Sequence, residues 1–485
     1  MQHRYDRDVL VVGAGPNGLA AAVTLARAGR AVTLVEEKPV PGGCLLSSDV
    51  TLPGFLHDMG AAIHPFATTS PFFRSLGTAF DVDWFFPAVS VAHPLDDGTA
   101  GIIARDPDET IAALGRDGPA YRRFMGPFLR SFETCLEDIL QPLHPPRHPA
   151  LLLALIIRTI LPVTRLTPCL FKTPAARALI AGLGAHSILP LEHPLSAVFA
   201  LTMAASCHQP GWPVPKGGAG TVTDVLCRIL KDAGGTIVTN TPVRSVDDCL
   251  DMEHVFFDLT PRQITPILGD RLPLSYRKRF SQYRYGPGVF KLDWALDGPI
   301  PWRAPACGRS CTVHLGGTLP EIARAERDVW RGRHPDRPFV ILTQPGILDT
   351  SRAPRERQTV WAYCHVPNGS TADMTERIER QVERFAPGFR RRILARHAMN
   401  TAALERFNAN LVGGDVAGGA QDFRQLPTRS MPLHRPYALP IPGMSICSAS
   451  TPPGAGIHGM GGYNAACALL ERAPDGEQSP RDVPA

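Results

Sequence analysis

The sequence predicts an α/β protein: a dinucleotide-binding parallel sheet, discontinuous in sequence, with an interleaved α+β domain. Three observations predict it. The apolar run Asp8-Val9-Leu10-Val11-Val12 is followed at once by Gly13-Ala14-Gly15-Pro16-Asn17-Gly18, then by an Ala/Leu-rich stretch and a second short apolar run ending in Glu36-Glu37. Far along the chain, Pro215-Lys216-Gly217-Gly218-Ala219-Gly220 opens a helical pattern that leads to another strand. Near the C-terminus, the strand Met444 to Cys447 feeds a helix starting near Gly462.

Each element follows from its residues. A short, continuous apolar run is what a strand buried on both faces requires. Gly13 permits the tight turn out of that strand, Gly15 leaves bare backbone for a diphosphate, and Gly18 lets the helix pack closely on the strand. The helix Leu19 to Ala28, closed by Gly29, presents free amides and a partial positive charge at its N-terminus. Pro16 sits where its missing N–H costs nothing, beside Asn17. The second strand, Ala31 to Val35, delivers Glu36 and Glu37. A carboxylate there accepts from ribose hydroxyls and repels a 2′-phosphate, which favours FAD or NAD over NADP. Strand before, helix after and acid at the right distance together make this a Rossmann-like unit.

Composition excludes several classes. The chain has 485 residues, 44% hydrophobic and 20% charged, so it can bury large cores in two or three domains. The net charge is only +5, and six of 50 basic residues are lysines. Short runs such as Arg390-Arg391-Arg392 are read as a solvated helix face and not as a nucleic-acid surface. Eleven scattered cysteines match neither a disulfide scaffold nor a metal site, and reduced thiols suit a cytoplasmic protein. No signal peptide is visible at the N-terminus. The most apolar stretch, Ala150 to Val163, is too short to span a bilayer. It is expected to be a buried helix, with a helix lying in a membrane surface as the alternative.

Two further glycines, Gly42 and Gly43, follow Glu36, and then Asp58-Met59-Gly60. Later stretches are Tyr285-Gly286-Pro287-Gly288-Val289-Phe290-Lys291 and the long run Cys447-Ser448-Ala449-Ser450-Thr451 through Gly454, Gly456, His458 and Met460. With these landmarks the chain resembles the phytoene desaturase and amine oxidase superfamily of flavoproteins. It is most like the branch of the pyridine nucleotide-disulfide oxidoreductase domain-containing protein 2, and is also similar to carotenoid isomerases and retinol saturases. The resemblance covers Asp8 to about Arg472. It implies FAD as cofactor, with Gly42 and Gly43 at the pyrophosphate and Val243 at the adenine. Gly456, Ile457 and Met460, in the C-terminal stretch, would cover the flavin ring. Many such relatives carry an acidic residue before that stretch to hold the ribityl chain. Ser448, Ala449 and Ser450 stand there instead.

The same resemblance invites a dithiol mechanism that the residues do not support. Cys44 is followed by Leu45 to Asp49 with no partner cysteine, and no second glycine fingerprint lies in strand–turn–helix context.

The expected organisation is a flavin domain of residues 1–86, 213–260 and 437–473, a substrate domain of 87–212 and 261–436, and a flexible tail, 474–485. The first insert reads as mostly helical, with a core stripe of Phe124, Phe128, Phe132, Leu136 and Leu140. In the second, Val289 to Leu296, Phe339 to Leu342 and Thr359 to His365 read as strands, and Thr375 to Phe385 and Phe389 to His397 as helices. Together they would form a floor beneath a pocket facing the flavin. The expected chemistry is hydride transfer from a C–H bond of an apolar or amphipathic substrate to flavin N5, of desaturation, saturation or isomerisation type, with oxygen or a quinone as acceptor. Desaturation also needs a proton acceptor, and His64 and His458 are the candidates. Lys291 is read as structural, and Tyr285 and Trp294 as pocket lining or core. An amine oxidase, or a flavin-containing interaction protein with little turnover, is the alternative. Neither a metal nor a nucleic acid is expected, a peripheral membrane contact is left open, and oligomeric state is not legible.

Overall fold

The computed structural model describes residues 8–427 and 429–471; the expected tail at 474–485 lies outside them. The elements used below are, in chain order, strands β1 (Val9–Val12), β2 (Val32–Val35), β3 (Val89–Pro94), β4 (Ala100–Ala104), β5 (Thr236–Val238), β6 (His254–Phe257), β7 (Gly288–Leu296), β8 (Ser310–Leu315), β9 (Val340–Thr343), β10 (Gln358–Val366), β11 (Ile393–Met399) and β12 (Met444–Ile446). The helices are α1 (Pro16–Arg27), α2 (Gly118–Leu129), α3 (Phe132–Ile139), α4 (Pro149–Thr159), α5 (Val163–Leu170), α6 (Pro174–Ala185), α7 (Ser196–His208), α8 (Gly220–Asp232), α9 (Leu319–Trp330), α10 (Thr375–Phe385) and α11 (Met460–Leu470).

Two sheets organise the molecule. The first is five-stranded and parallel, in the order β12-β6-β1-β2-β5. Its strands come from three distant parts of the chain, as the glycine turns and apolar runs predict. β1 and β2 are buried along their whole length, because α1, α8 and α11 cover one face and a cluster of Leu10, Val12, Val35, Phe257 and Ile264 fills the other. Helix α11 lies directly on α1. A side chain at Gly462 would come within 1.8 Å of the Asn17 carbonyl, so only glycine allows this approach.

The second sheet is mixed and seven-stranded, in the order β11-β7-β10-β9-β8-β3-β4. Alternation along β7 sends Phe290, Leu292, Trp294 and Leu296 into a core with α10, and sends Lys291 and Asp293 to the opposite face. Trp294 is therefore a core residue, its indole N–H donating to Glu379 at 3.1 Å.

Several expectations need correction. Phe389–His397 is not a helix: one 3-10 turn spans Phe389–Arg392, and Ile393–Met399 is a strand. Its exposure alternates with period two, because β7 holds it as the sheet's edge partner. The 87–212 stretch is mostly helical, but opens with the hairpin β3–β4, which joins the mixed sheet. The stripe from Phe124 to Leu140 is buried as expected, on two helices, α2 and α3. The apolar stretch at 150–163 is not a buried helix. Leu155 and Thr159 of α4 are buried, whereas Ile156, Ile157 and Ile160 are 49%, 63% and 67% exposed. Among the described residues, no single helix is long and apolar enough to cross a membrane.

Candidate functional site

The turn after β1 shows what each of its glycines does. Gly13 has φ +96° and donates its amide to the Val35 carbonyl at 2.8 Å. A Cβ on Gly18 would lie 1.9 Å from the Gly13 carbonyl oxygen, the close helix–strand approach expected of the third glycine. Gly15 precedes Pro16, the first residue of α1, and no side chain of its own caps the helix. The cap comes from β6 instead. The carboxyl of Asp258, just past that strand, accepts from the Gly18 amide at 2.9 Å. A Cβ on Gly15 would sit 2.6 Å from the same carboxyl oxygen. The bareness of Gly15 thus makes room for Asp258 within the turn itself.

Other expected residues converge here. Gly42 donates its amide to the Ala14 carbonyl at 2.8 Å, and a Cβ on Gly43 would lie 3.1 Å from the Gly15 Cα. Glu36 reaches back from β2, its two carboxylate oxygens accepting from the amides of Ala14 (2.8 Å) and Lys38 (2.9 Å). Thr241 donates its amide to the Glu36 carbonyl at 2.8 Å, and Val243, two residues on, packs half-buried against the Leu10 and Val35 cluster. Glu37 is exposed, 3.9 Å from the Lys38 ammonium. Met460 begins α11 fully buried, and Ile457 packs on the same core as α1. Ser450 does not stand free as a ligand: its hydroxyl bonds Thr260 and the Gly418 carbonyl.

Asp258 is the residue sequence reasoning missed. Burial, with a smaller push from the Glu36 charge, takes its carboxyl up to about 8 against the lowering effect of the Gly18 amide. At neutral pH it is mostly a neutral acid, so it brings little negative charge to the turn. The Asn17 side-chain oxygen is buried and has no hydrogen-bond partner among the described residues. Amides, a neutral acid and a bare cradle at the start of a helix suit a diphosphate. The only signal in the sequence was an ionisable residue directly after a buried strand.

The face of the mixed sheet opposite α10 carries polar and aromatic side chains in register. One row runs His314, Ile341, Tyr363, Lys291, Met399, and the next runs Thr312, Thr343, Trp361, Asp293, His397. The Lys291 ammonium donates to Asp293 at 2.5 Å, and the His57 and His397 rings approach the same carboxylate at 3.7 and 3.5 Å. Burial lowers the Lys291 pKa, and Asp293 opposes this. Burial takes His57 down to about 4.

The two histidine candidates stand in different settings. His64 is fully buried, edge-on to Trp84 at 5.5 Å, and neither ring nitrogen has a partner among the described residues. Burial holds it at about 4, with Asp58 raising and Arg352 lowering it. It is a neutral imidazole at physiological pH. His458 accepts from the Met460 amide at 3.0 Å through Nδ1, and its carbonyl accepts from Ser70 at 2.8 Å. Its ring secures the first turn of α11.

Two of the quoted landmarks meet in a latch. Arg352, fully buried, donates to Asp58 at 2.5 Å, Asp349 at 3.1 Å and the Pro215 carbonyl at 2.8 Å. Asp58 also accepts from the Ala219 amide and the Ser47 hydroxyl, both at 2.7 Å, and Asp349 accepts from the Gly217 amide at 2.7 Å. The Asp58-Met59-Gly60 and Pro215–Gly220 segments are thus clamped by one guanidinium. Cys44 is a free thiol, as are all the described cysteines.

Comparison with known proteins agrees with this geometry. Residues 11–76 match the NAD(P)-binding Rossmann-like domain family. The chain is 24% identical to pyridine nucleotide-disulfide oxidoreductase domain-containing protein 2 of Rattus norvegicus, over 95% of this chain and 92% of that one. It is 26% identical to the all-trans-zeta-carotene desaturase of Myxococcus xanthus, over 93% and 90% of the two chains. Its fold matches that of putrescine oxidase solved with putrescine, at TM-score 0.60 and 17% identity, over 96% and 99% of the two chains. The chain thus carries a Rossmann-like dinucleotide-binding domain and, over nearly its whole length, is similar to oxidoreductases that include a carotene desaturase and, in fold, putrescine oxidase.

Proposed function

We propose that this chain binds FAD and oxidises or isomerises an apolar or amphipathic substrate by hydride transfer from a C–H bond. The observation that carries the reading is the turn at Gly13–Gly18. It is bare, capped by a neutral Asp258, and flanked by the Glu36 carboxylate and the Gly42–Gly43 loop. In this reading the turn and Gly42–Gly43 hold the diphosphate, Glu36 the adenosine ribose and Val243 the adenine, with Gly456, Ile457 and Met460 toward the flavin ring. The bound flavin supplies a hydride acceptor. The two polar rows of the mixed sheet, with Tyr363 and Lys291 in one and Trp361 in the other, form the substrate floor and exclude water from it. Of the two candidates His64 is the better placed to accept a proton: burial takes both imidazoles down to about 4, but only His64 has both ring nitrogens unengaged among the described residues. His458 is committed to the start of α11.

Denaturing the purified protein and separating the released cofactor tests the first half: FAD is expected, and its absence from folded protein ends the reading. Anaerobic mixing with polyenes, retinoids and amines tests the second half through loss of oxidised-flavin absorbance. A second reading, amine oxidation, is favoured by the full-length structural likeness to putrescine oxidase. It predicts hydrogen peroxide release from amines without lipid. If neither substrate class reduces the flavin, the redox reading fails and an interaction role takes its place.

A further inference from the structure

Helix α4 presents an apolar face that nothing among the described residues covers. Leu153, Ile156, Ile157 and Ile160 recur at helical spacing and are 58%, 49%, 63% and 67% exposed. Leu143 before the helix and Leu161 after it extend the patch at 60% and 43%. The opposite side of the helix, Leu155 and Thr159, is buried beneath it. A contiguous exposed patch of this kind on an otherwise ordinary surface marks a place of contact.

Charge identifies the occupant. From residue 139 to residue 191 the chain has no Asp or Glu, while Arg147, Arg158, Arg165, Lys172 and Arg177 all fall within that stretch. Arg147, Arg165 and Lys172 are exposed. Arg177 lines a surface groove with Thr164 and Pro168 of α5 and with Arg324 and Arg327 of α9. Glu192, the one acid there, is paired with Arg327. A second copy of the chain would meet this face with the same positive charge. An anionic phospholipid surface meets it with the opposite one. Helix α4 has 11 residues, about 16 Å, far short of the roughly 30 Å of a bilayer core. It turns by 87° into α5, whose Val163, Leu166 and Thr167 are anchored in the protein.

We propose that the α4–α5 elbow docks the protein on an anionic bilayer surface, with α4 lying in the headgroup–acyl boundary and the surrounding arginines on lipid phosphates. The docking is independent of the redox chemistry, and lipid contact is read whether or not the flavin turns over.

The test is flotation of the whole, cofactor-loaded protein with two kinds of vesicle, phosphatidylcholine alone and phosphatidylcholine with about one-third phosphatidylglycerol. Binding is expected to the anionic vesicles, at least tenfold weaker to the neutral ones, and reduced by high salt. The double variant Ile157→Asn/Ile160→Asn should lose at least tenfold in partitioning. Arg147→Gln and Arg165→Gln should each lose roughly fivefold. Should the double variant fail to fold, Ile157→Trp gives a second measurement: its emission, taken as the difference from the unsubstituted protein, should shift to the blue with anionic vesicles. Absence of the unsubstituted protein from anionic vesicles at low salt overturns the proposal. So does an Ile157→Trp spectrum unmoved by lipid. A dimer in light scattering that Ile157→Asn/Ile160→Asn converts to monomers assigns the face to a second copy and also overturns it.

Discussion

Arg352→Met should be among the most destabilising single changes outside the aromatic core. The guanidinium is fully buried and makes three bonds, two of them to carboxylates that are themselves only 2% exposed. Removing it strands Asp58 and Asp349 in a low-dielectric interior. Breaking a buried ion pair from one side costs about 3–5 kcal/mol. Here the lower part of that range applies, about 3 kcal/mol, because Asp58 keeps Ser47 and Ala219, and Asp349 keeps Gly217 and Ser351. The Asp349 carboxyl reports the same balance. Burial pushes it up, but Ser351, Gly217 and Arg352 together hold it below the usual carboxylate range. Arg352→Lys keeps the charge and loses the fork, so about half the cost should return. Urea denaturation followed by circular dichroism reads both variants, compared at unchanged slope. Pairing Arg352→Met with Asp58→Asn should restore part of the loss, because the second change removes a stranded charge. The reasoning is refuted if Arg352→Met stays within about 1 kcal/mol of the parent, or if the double variant is simply the sum of the two.

The remaining predictions concern the glycine turn and the sheet. Gly18→Ala puts a methyl 1.9 Å from the Gly13 carbonyl and should cost about 3 kcal/mol or more, read as a lowered denaturation midpoint and loss of bound FAD. Gly15→Ala meets the Asp258 carboxyl at 2.6 Å, so its cost in denaturation should shrink in an Asp258→Ala background; equal costs in both backgrounds would contradict the packing. The folded-state pKa of Asp258 is raised from 3.8 to about 8, so the folded protein holds a proton that the unfolded chain releases. Its contribution to stability is full below 3.8, is lost as pH rises to about 8 and is level beyond. The stability difference between Asp258→Asn and the parent apoprotein should therefore widen in favour of Asn across that window, and a difference independent of pH would contradict it. His64→Gln should lower the rate of flavin reduction by a substrate undergoing desaturation by about 100-fold or more if it accepts the proton, while leaving FAD content unchanged.

How much of this was legible depends on how far apart the partners lie. The unit from Asp8 to Glu37 could be read because all its constraints are local. A buried strand, a bare turn, a helix and a second strand follow within 30 residues, and each has a residue-level signature. The mixed-sheet strands β7, β9 and β10 were legible for a similar reason, being apolar and β-branched runs. β11 was not. Ile393, Leu394, Arg396 and His397 carry no strong strand signal, and an Arg-rich run reads as a solvated helix until β7 supplies an edge to pair with. Propensity yields there to a partner a hundred residues away.

The same separation explains why the polar half of the site stayed hidden. Asp258 acts on Gly18 across 240 positions and Arg352 acts on Asp58 across 294. Composition treats a lone Asp or Arg as surface by default, because most are. What makes these two different is the strand or turn that carries them inward, a property of topology and not of the residue. The resemblance marked the glycine segments that these side chains hold and was silent about what holds them. A glycine landmark in such a chain therefore has two physical readings, room for a ligand or room for a neighbour. At Gly15 the neighbour is Asp258, so a substitution there changes the cap of α1 as well as the proposed cofactor cradle. Cofactor loss in a Gly15 variant becomes evidence for ligand contact only when the Asp258→Ala background restores stability without restoring FAD.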